Sequence, residues 1–166
     1  MKKTFLVVLA ASVVLLPAST AWARGDGWQP LPTPPSVDVF CGSTVVHLTF
    51  PVNKEYGIFT TEPDGTVVLK VTGSLFLTFT TDAGASFSTN SSGPGELFFY
   101  TNGDFETIAQ GLSTEAFSAE QAADLGLPSE ITLLKGPLDF VLHPDGSATP
   151  IRIPSVVTDI CAQLGV

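Results

Sequence analysis

Val67-Val68-Leu69-Lys70-Val71-Thr72-Gly73-Ser74-Leu75-Phe76-Leu77-Thr78-Phe79-Thr80 is the stretch on which the fold turns. Leu69, Val71, Gly73, Leu75, Leu77 and Phe79 alternate with the polar residues Lys70, Thr72, Ser74, Thr78 and Thr80. Side chains of a strand point to opposite faces in turn, so a period of two describes one long strand with a dry face and a wet face. Gly73, midway, predicts a bulge or bend that lets so long a strand curve around a core. Phe76 interrupts the wet face and belongs either to a second buried layer or to an exposed binding surface.

The same alternation, punctuated by turn chemistry, extends on both sides. Glu62-Pro63-Asp64-Gly65, Asp82-Ala83-Gly84, Gly93-Pro94-Gly95, Thr101-Asn102-Gly103-Asp104 and His143-Pro144-Asp145-Gly146 supply residues that preset a turn or accept positive φ. Strands are expected at about 37–41, 44–51, 56–61, 67–80, 85–89, 96–100, 105–109, 130–135, 138–143 and 148–153. Asn102-Gly103 predicts a two-residue hairpin turn. Ser118 and Gln121 form a capping-box pattern before 119–125, and Gly126 and Pro128 stop the short helix expected there. The tail 156–164 reads as strand or short helix. The fold class is therefore all-β, an antiparallel β-sandwich or a closed or partly closed β-barrel with one short helix near 119–125.

The N-terminal end reads as export machinery. Lys2 and Lys3 precede an apolar run over 5–16, Pro17 breaks it, and Ala21-Trp22-Ala23 supplies a small-x-small cleavage site, so 1–23 is expected to be a signal peptide. Twelve apolar residues are too few to span a bilayer, which takes about 20, and no transmembrane segment is expected in the mature chain. The Pro- and Gly-rich segment 24–36 is expected to be a flexible lead-in, and 37–166 a single domain. Arg24-Gly25-Asp26 spells an integrin-ligand tripeptide but abuts the cleavage site, and carries no weight here. Secretion to the extracellular space permits disulfides. Cys41 and Cys161, the two cysteines, are expected to pair; with no Cys-x-x-Cys and no third thiol, the bond has a structural role.

Seven Lys+Arg against 16 Asp+Glu give a formal charge of -9 over 166 residues. Cleavage after Ala23 would remove two lysines and no acid, making the product more acidic still. A surface of that sign with no basic cluster excludes nucleic acid as a partner.

The chemical inventory is thin. His47 alternates with Val46 and Leu48 in a strand and lacks a second histidine at metal-ligand spacing; His143 precedes an exposed turn. Gly84-Ala85-Ser86-Phe87-Ser88 falls short of a nucleophile elbow, because its last position is not glycine. Asp139 shares a face with Val141 and His143, opposite Leu138, Phe140 and Leu142, and reads as a solvated strand acid; Asp159 reads as a residue that caps or hydrogen-bonds a local turn. Acidic turns suggest calcium as the metal to test, although the Asp-x-Asp-x-Asp-Gly loop is absent. Asn90-Ser91-Ser92 matches a glycan acceptor. No catalytic residue, metal ligand or cofactor is assigned.

Phe40-Cys41-Gly42, Val71-Thr72-Gly73-Ser74-Leu75, Ser92-Gly93-Pro94-Gly95 and Thr158-Asp159-Ile160-Cys161-Ala162-Gln163-Leu164, together with the export signal, resemble small secreted β-rich proteins of actinobacteria. Most of these carry no assigned function. The resemblance covers about 40–164 and implies a fold class and a location, with no reaction to carry over. The expected function is that of a secreted non-enzymatic β-module that binds a surface, a glycan or a small apolar ligand, or has an envelope-associated structural role. The alternative is a secreted hydrolase using His47 or His143 with a carboxylate. A closed barrel with an apolar cavity for a lipid-like ligand is a third.

Overall fold

The computed structural model describes residues 27–166, so the expected signal peptide and Arg24-Gly25-Asp26 lie outside the described residues. In chain order the elements are β1 (Gln29–Pro30), β2 (Ser36–Cys41), β3 (Thr44–Thr61), β4 (Val67–Thr81), β5 (Ser86–Asn90), β6 (Gly95–Phe99), β7 (Phe105–Ala109), β8 (Leu112–Ala116), α1 (Ala119–Asp124), β9 (Ile131–Lys135), β10 (Leu138–Leu142), β11 (Ala148–Arg152), β12 (Val156–Asp159) and α2 (Ile160–Leu164).

The strands form two antiparallel sheets. The larger runs β1-β3-β4-β6-β7-β10-β11, with β2 added beside β3 and β5 beside β4; the smaller is β12-β9-β8. Neither closes into a barrel, so the fold is an all-β sandwich.

Its spine is the β3–β4 hairpin, which pairs from Val46↔Thr81 to Thr61↔Val67 around the Glu62-Pro63-Asp64-Gly65 turn. One end of this ribbon carries β2 and β5; the other carries β1 on one side and β6, β7, β10 and β11 on the other. Between the two ends the β3–β4 register shifts at Thr49/Val52, and Gly73, opposite Glu55, has φ 130°. The register shift falls on β3 opposite Phe76 and Thr78 rather than at Gly73, where pairing with Glu55 is regular, and the two stretches read as separate strands over 44–51 and 56–61 are one strand running through a bulge.

Gly73 is required on two counts. Its φ is closed to most L-residues, and a Cβ at this position would stand 2.2 Å from the Lys54 carbonyl oxygen. Gly73→Ala is expected to destabilise the fold by about 2–4 kcal/mol. Gly84→Ala, at φ 87° with nothing within 4 Å of the added carbon, should cost only about 1 kcal/mol. Urea unfolding of the two variants checks this, and equal costs would show that Gly73 matters for its backbone angle alone.

Successive residues of β9 feed two cores, as alternation requires. Ile131 and Leu133 join Val46, Leu48, Leu75, Leu77 and Phe79 under the β2–β5 end, where Cys41, Ile160, Cys161 and Leu164 complete the cluster. Leu134 faces the other way, into Phe117, Leu138, Phe140, Leu142, Ala122 of α1 and Leu125 at its C-terminal cap. The Cys41–Cys161 disulfide is formed, with Cα atoms 5.6 Å apart.

Local expectations are corrected or completed at four places. In place of a flexible lead-in, Gln29 and Pro30 pair with Gly57 and Tyr56, and Leu31 is 5% exposed. The cause is Gly57, whose missing side chain leaves the space that Leu31 fills: a Cβ there would lie 2.8 Å from Leu31 Cδ2. Pro30 is tolerated because β1 lies at the sheet edge. The Asn102-Gly103 turn closes through the Tyr100 N–H donating to the Asp104 carbonyl, which leaves three residues between them rather than two. β8 was not expected at all. The tail is both alternatives in succession, β12 and then α2. Asp159 caps α2 by accepting from the Ala162 N–H at 2.9 Å, and Ser118 with Gln121 completes the capping box of α1, both as read from the sequence.

Candidate binding face

The wet face of the four strands β2, β3, β4 and β5 is a ruled polar surface. One row across it is Asp38, His47, Thr80 and Ser86; the next is Ser36, Thr49, Thr78 and Ser88. These residues face outward because their neighbours Val37, Val39, Val46, Leu48, Leu77, Phe79 and Phe87 pack inward. A further row pairs Phe76 with Val52 and Asn90. Phe76 is 42% exposed and Val52 37%. At the opposite end, two residues beyond Asp38 on β2, Phe40 is 55% exposed. At about 3.4 Å per residue, the two phenyl rings frame a hydroxyl-rich platform about 20 Å long, on strands spaced about 4.8 Å apart.

Hydrogen bonds hold this surface in order. Thr78 and Ser88 hydroxyls meet at 2.9 Å, and Thr49 donates to the Thr78 carbonyl. His47 is gripped on both ring nitrogens, Nδ1 by Asp38 at 2.8 Å and Nε2 by Asp82 at 2.9 Å. A neutral imidazole can donate from only one nitrogen, so two carboxylate acceptors favour the imidazolium. The Asp82 and Asp38 contacts accordingly raise the His47 pKa above its usual value.

His143 is also held from both sides. Nδ1 lies 2.9 Å from Asp104 and Nε2 2.8 Å from the Thr149 hydroxyl. With Nδ1–H donating to the carboxylate, Nε2 accepts the threonine proton, the order of groups found in a nucleophile, base and orienting acid. Thr149, however, is exposed on the edge strand β11, and the three residues tie the β6–β7 turn to the β10–β11 hairpin. His143 and Asn102 together lower the Asp104 pKa.

The remaining candidates are accounted for locally. Asp139 points to the outer face as expected but is half-buried rather than solvated, and burial followed by Glu106 raises its pKa. In the acidic turns, Asp64 and Asp145 accept from the backbone N–H groups of Thr66 and Ser147. Among the described residues no cluster of three or more His, Cys, Asp or Glu could hold a metal ion, and no helix is long and apolar enough to cross a membrane. Asn90, of the glycan-acceptor tripeptide, accepts from the Ser92 hydroxyl, which in turn accepts the Leu75 N–H.

Two groups were missed from the sequence, Glu55 and Glu115. Both are carboxylic acids in the interior, at 5% and 0% exposure. Burial pushes each up to about 8, in Glu115 against the opposing hydrogen bond from Ser113. Alternation does not locate them, since Ser113, Thr114, Glu115 and Ala116 are all buried and Glu55 lies just beyond the register shift of β3.

Searches against protein-family models, curated proteins and solved structures found no match to this chain.

Proposed function

We propose that this protein is a non-enzymatic extracellular β-module that binds a neutral glycan on the outer face of β2, β3, β4 and β5. The observation that carries the reading is the pair of hydroxyl rows framed by Phe40 and Phe76. A sugar ring offers a C–H face that stacks on an aromatic side chain and a rim of hydroxyls that exchange hydrogen bonds with Thr, Ser, Asp and His groups. Asp38 and Asp82 on that surface, and the negative charge of the whole chain, select against acidic polysaccharides. The export signal read in 1–23 and the buried disulfide support an extracellular setting.

Calorimetric titration of the oxidised protein with neutral gluco-, manno-, galacto- and N-acetylglucosamine oligosaccharides tests the reading. Phe40→Ala and Phe76→Ala are each expected to weaken binding about tenfold, which is about 1.4 kcal/mol, while leaving the unfolding midpoint near that of the wild type because both rings are largely exposed. Absence of binding across the panel, or binding that survives the double substitution, would overturn it.

A further inference from the structure

Between β3, β4, β6, β7 and the start of β8 lies a cavity of about 30 Å³, enough for an ion with a water. Glu55 and Thr107 line it together with Ser91, whose hydroxyl accepts the Thr114 N–H, and Ser113, whose hydroxyl donates to Glu115, and Val71 and Leu97 are part of its apolar wall. Ser91, Thr107 and Ser113 are all at least 95% buried. Within the protein, neither Glu55 Oε2 nor Thr107 Oγ1 has a hydrogen-bond partner. Buried polar atoms are almost always satisfied, and two orphans on one small cavity point to something held between them.

The lining restricts what that is. It offers oxygen donors and no cationic side chain, which suits a hard cation rather than an anion. It carries a single carboxylate, so a monovalent ion makes a neutral buried pair, whereas a divalent ion would leave one positive charge uncompensated in a low-dielectric site. Gly93 passes so close to Gln110 that a Cβ there would fall 1.9 Å from the Gln110 carbonyl oxygen, and both residues line the cavity. We infer that the cavity is a binding site for one monovalent metal cation of sodium or potassium size, with Glu55 and Thr107 as its ligands. The inference is independent of the glycan reading, since the cavity lies on the opposite side of the sheet from Phe76.

Thermal unfolding at pH 9 in about 0.15 M sodium, potassium or tetramethylammonium chloride tests it, the last cation being too large to enter. Wild-type protein is expected to unfold about 3–6 °C higher in sodium or potassium than in tetramethylammonium. Glu55→Gln, which keeps the side-chain shape, and Thr107→Val should each remove that difference, and broadening of the ²³Na or ³⁹K resonance should appear with wild type and vanish with Glu55→Gln. Equal midpoints in the three salts, or an ion-specific shift that survives Glu55→Gln, would establish that the cavity takes water alone.

Discussion

Replacing Cys41 and Cys161 together by serine is expected to cost about 5 kcal/mol and to lower the unfolding midpoint by about 15 °C. The bond spans 120 residues, and on the chain-entropy account a loop of that length restricts the unfolded state by about 5 kcal/mol. For a domain of this size each kilocalorie moves the midpoint by about 3–4 °C. The local structure adds to the effect. Both cysteines are 5% exposed within the core under the β2–β5 end, so serine would place two hydroxyls in an apolar cluster. α2 is five residues long, too short to persist without its anchors; Ile160 and Leu164 hold it by packing and Cys161 holds it covalently. Calorimetry of the variant and of the reduced wild type should agree, and a midpoint within about 2 °C of the oxidised protein would refute the claim that the bond staples the two ends of the fold.

The second large effect concerns pH. Glu115 is fully buried, its one bonded oxygen accepting from the Ser113 hydroxyl and Oε2 without a partner. Burial raises it to about 8 from an ordinary 4.5. Between those values the folded chain holds a proton that the unfolded chain has released. Stability is therefore fully present below about 4.5, declines as pH rises, and levels off above 8. Across pH 5 to 8 the loss is on the order of 4 kcal/mol, at about 1.4 kcal/mol per unit. With no cation bound in its cavity, Glu55, raised in the same direction, adds to the slope. Asp64, Asp104 and Asp145 have lowered pKa values, so their contribution is present above the usual 3.8 and lost only as pH falls through their folded values. This acidic protein should be most stable near pH 4–5. Glu115→Gln keeps the shape and removes the proton, so it should flatten much of the slope and raise the urea midpoint at pH 8 while changing little at pH 5. Parallel curves for variant and wild type would refute the assignment.

The 67–80 alternation was legible because an inward Leu or Phe and an outward Thr are decided locally, by the pleat and by hydropathy. The capping box at Ser118 and Gln121, the cap at Asp159 and most turns were legible for the same reason: each is a contact between near neighbours in the chain. β8 was not. Ser113, Thr114 and Glu115 carry no hydropathic alternation, and they are buried only because β9 pairs alongside and Ser91 accepts the Thr114 N–H at 2.9 Å. The bulge in β3 hid one strand as two, since 51–55 puts Pro51, Asn53, Lys54 and Glu55 where a regular strand would alternate.

The candidate face was half legible. Its Thr and Ser residues and the anomaly of Phe76 stood in the sequence, but Phe40, Asp38 and Asp82 joined His47 only when β2 and the β4–β5 turn came alongside. Local physics thus settled most strands and turns and the helix caps from the chain alone, because those depend on residues a few positions apart. The choice of sandwich over barrel, the docking of Leu31 over Gly57, the burial of Glu55 and Glu115 and the cavity lined by Glu55 and Thr107 were decided by tertiary structure. Each depends on pairings across many residues, whose free energy exists only once the two sheets have closed on a common core.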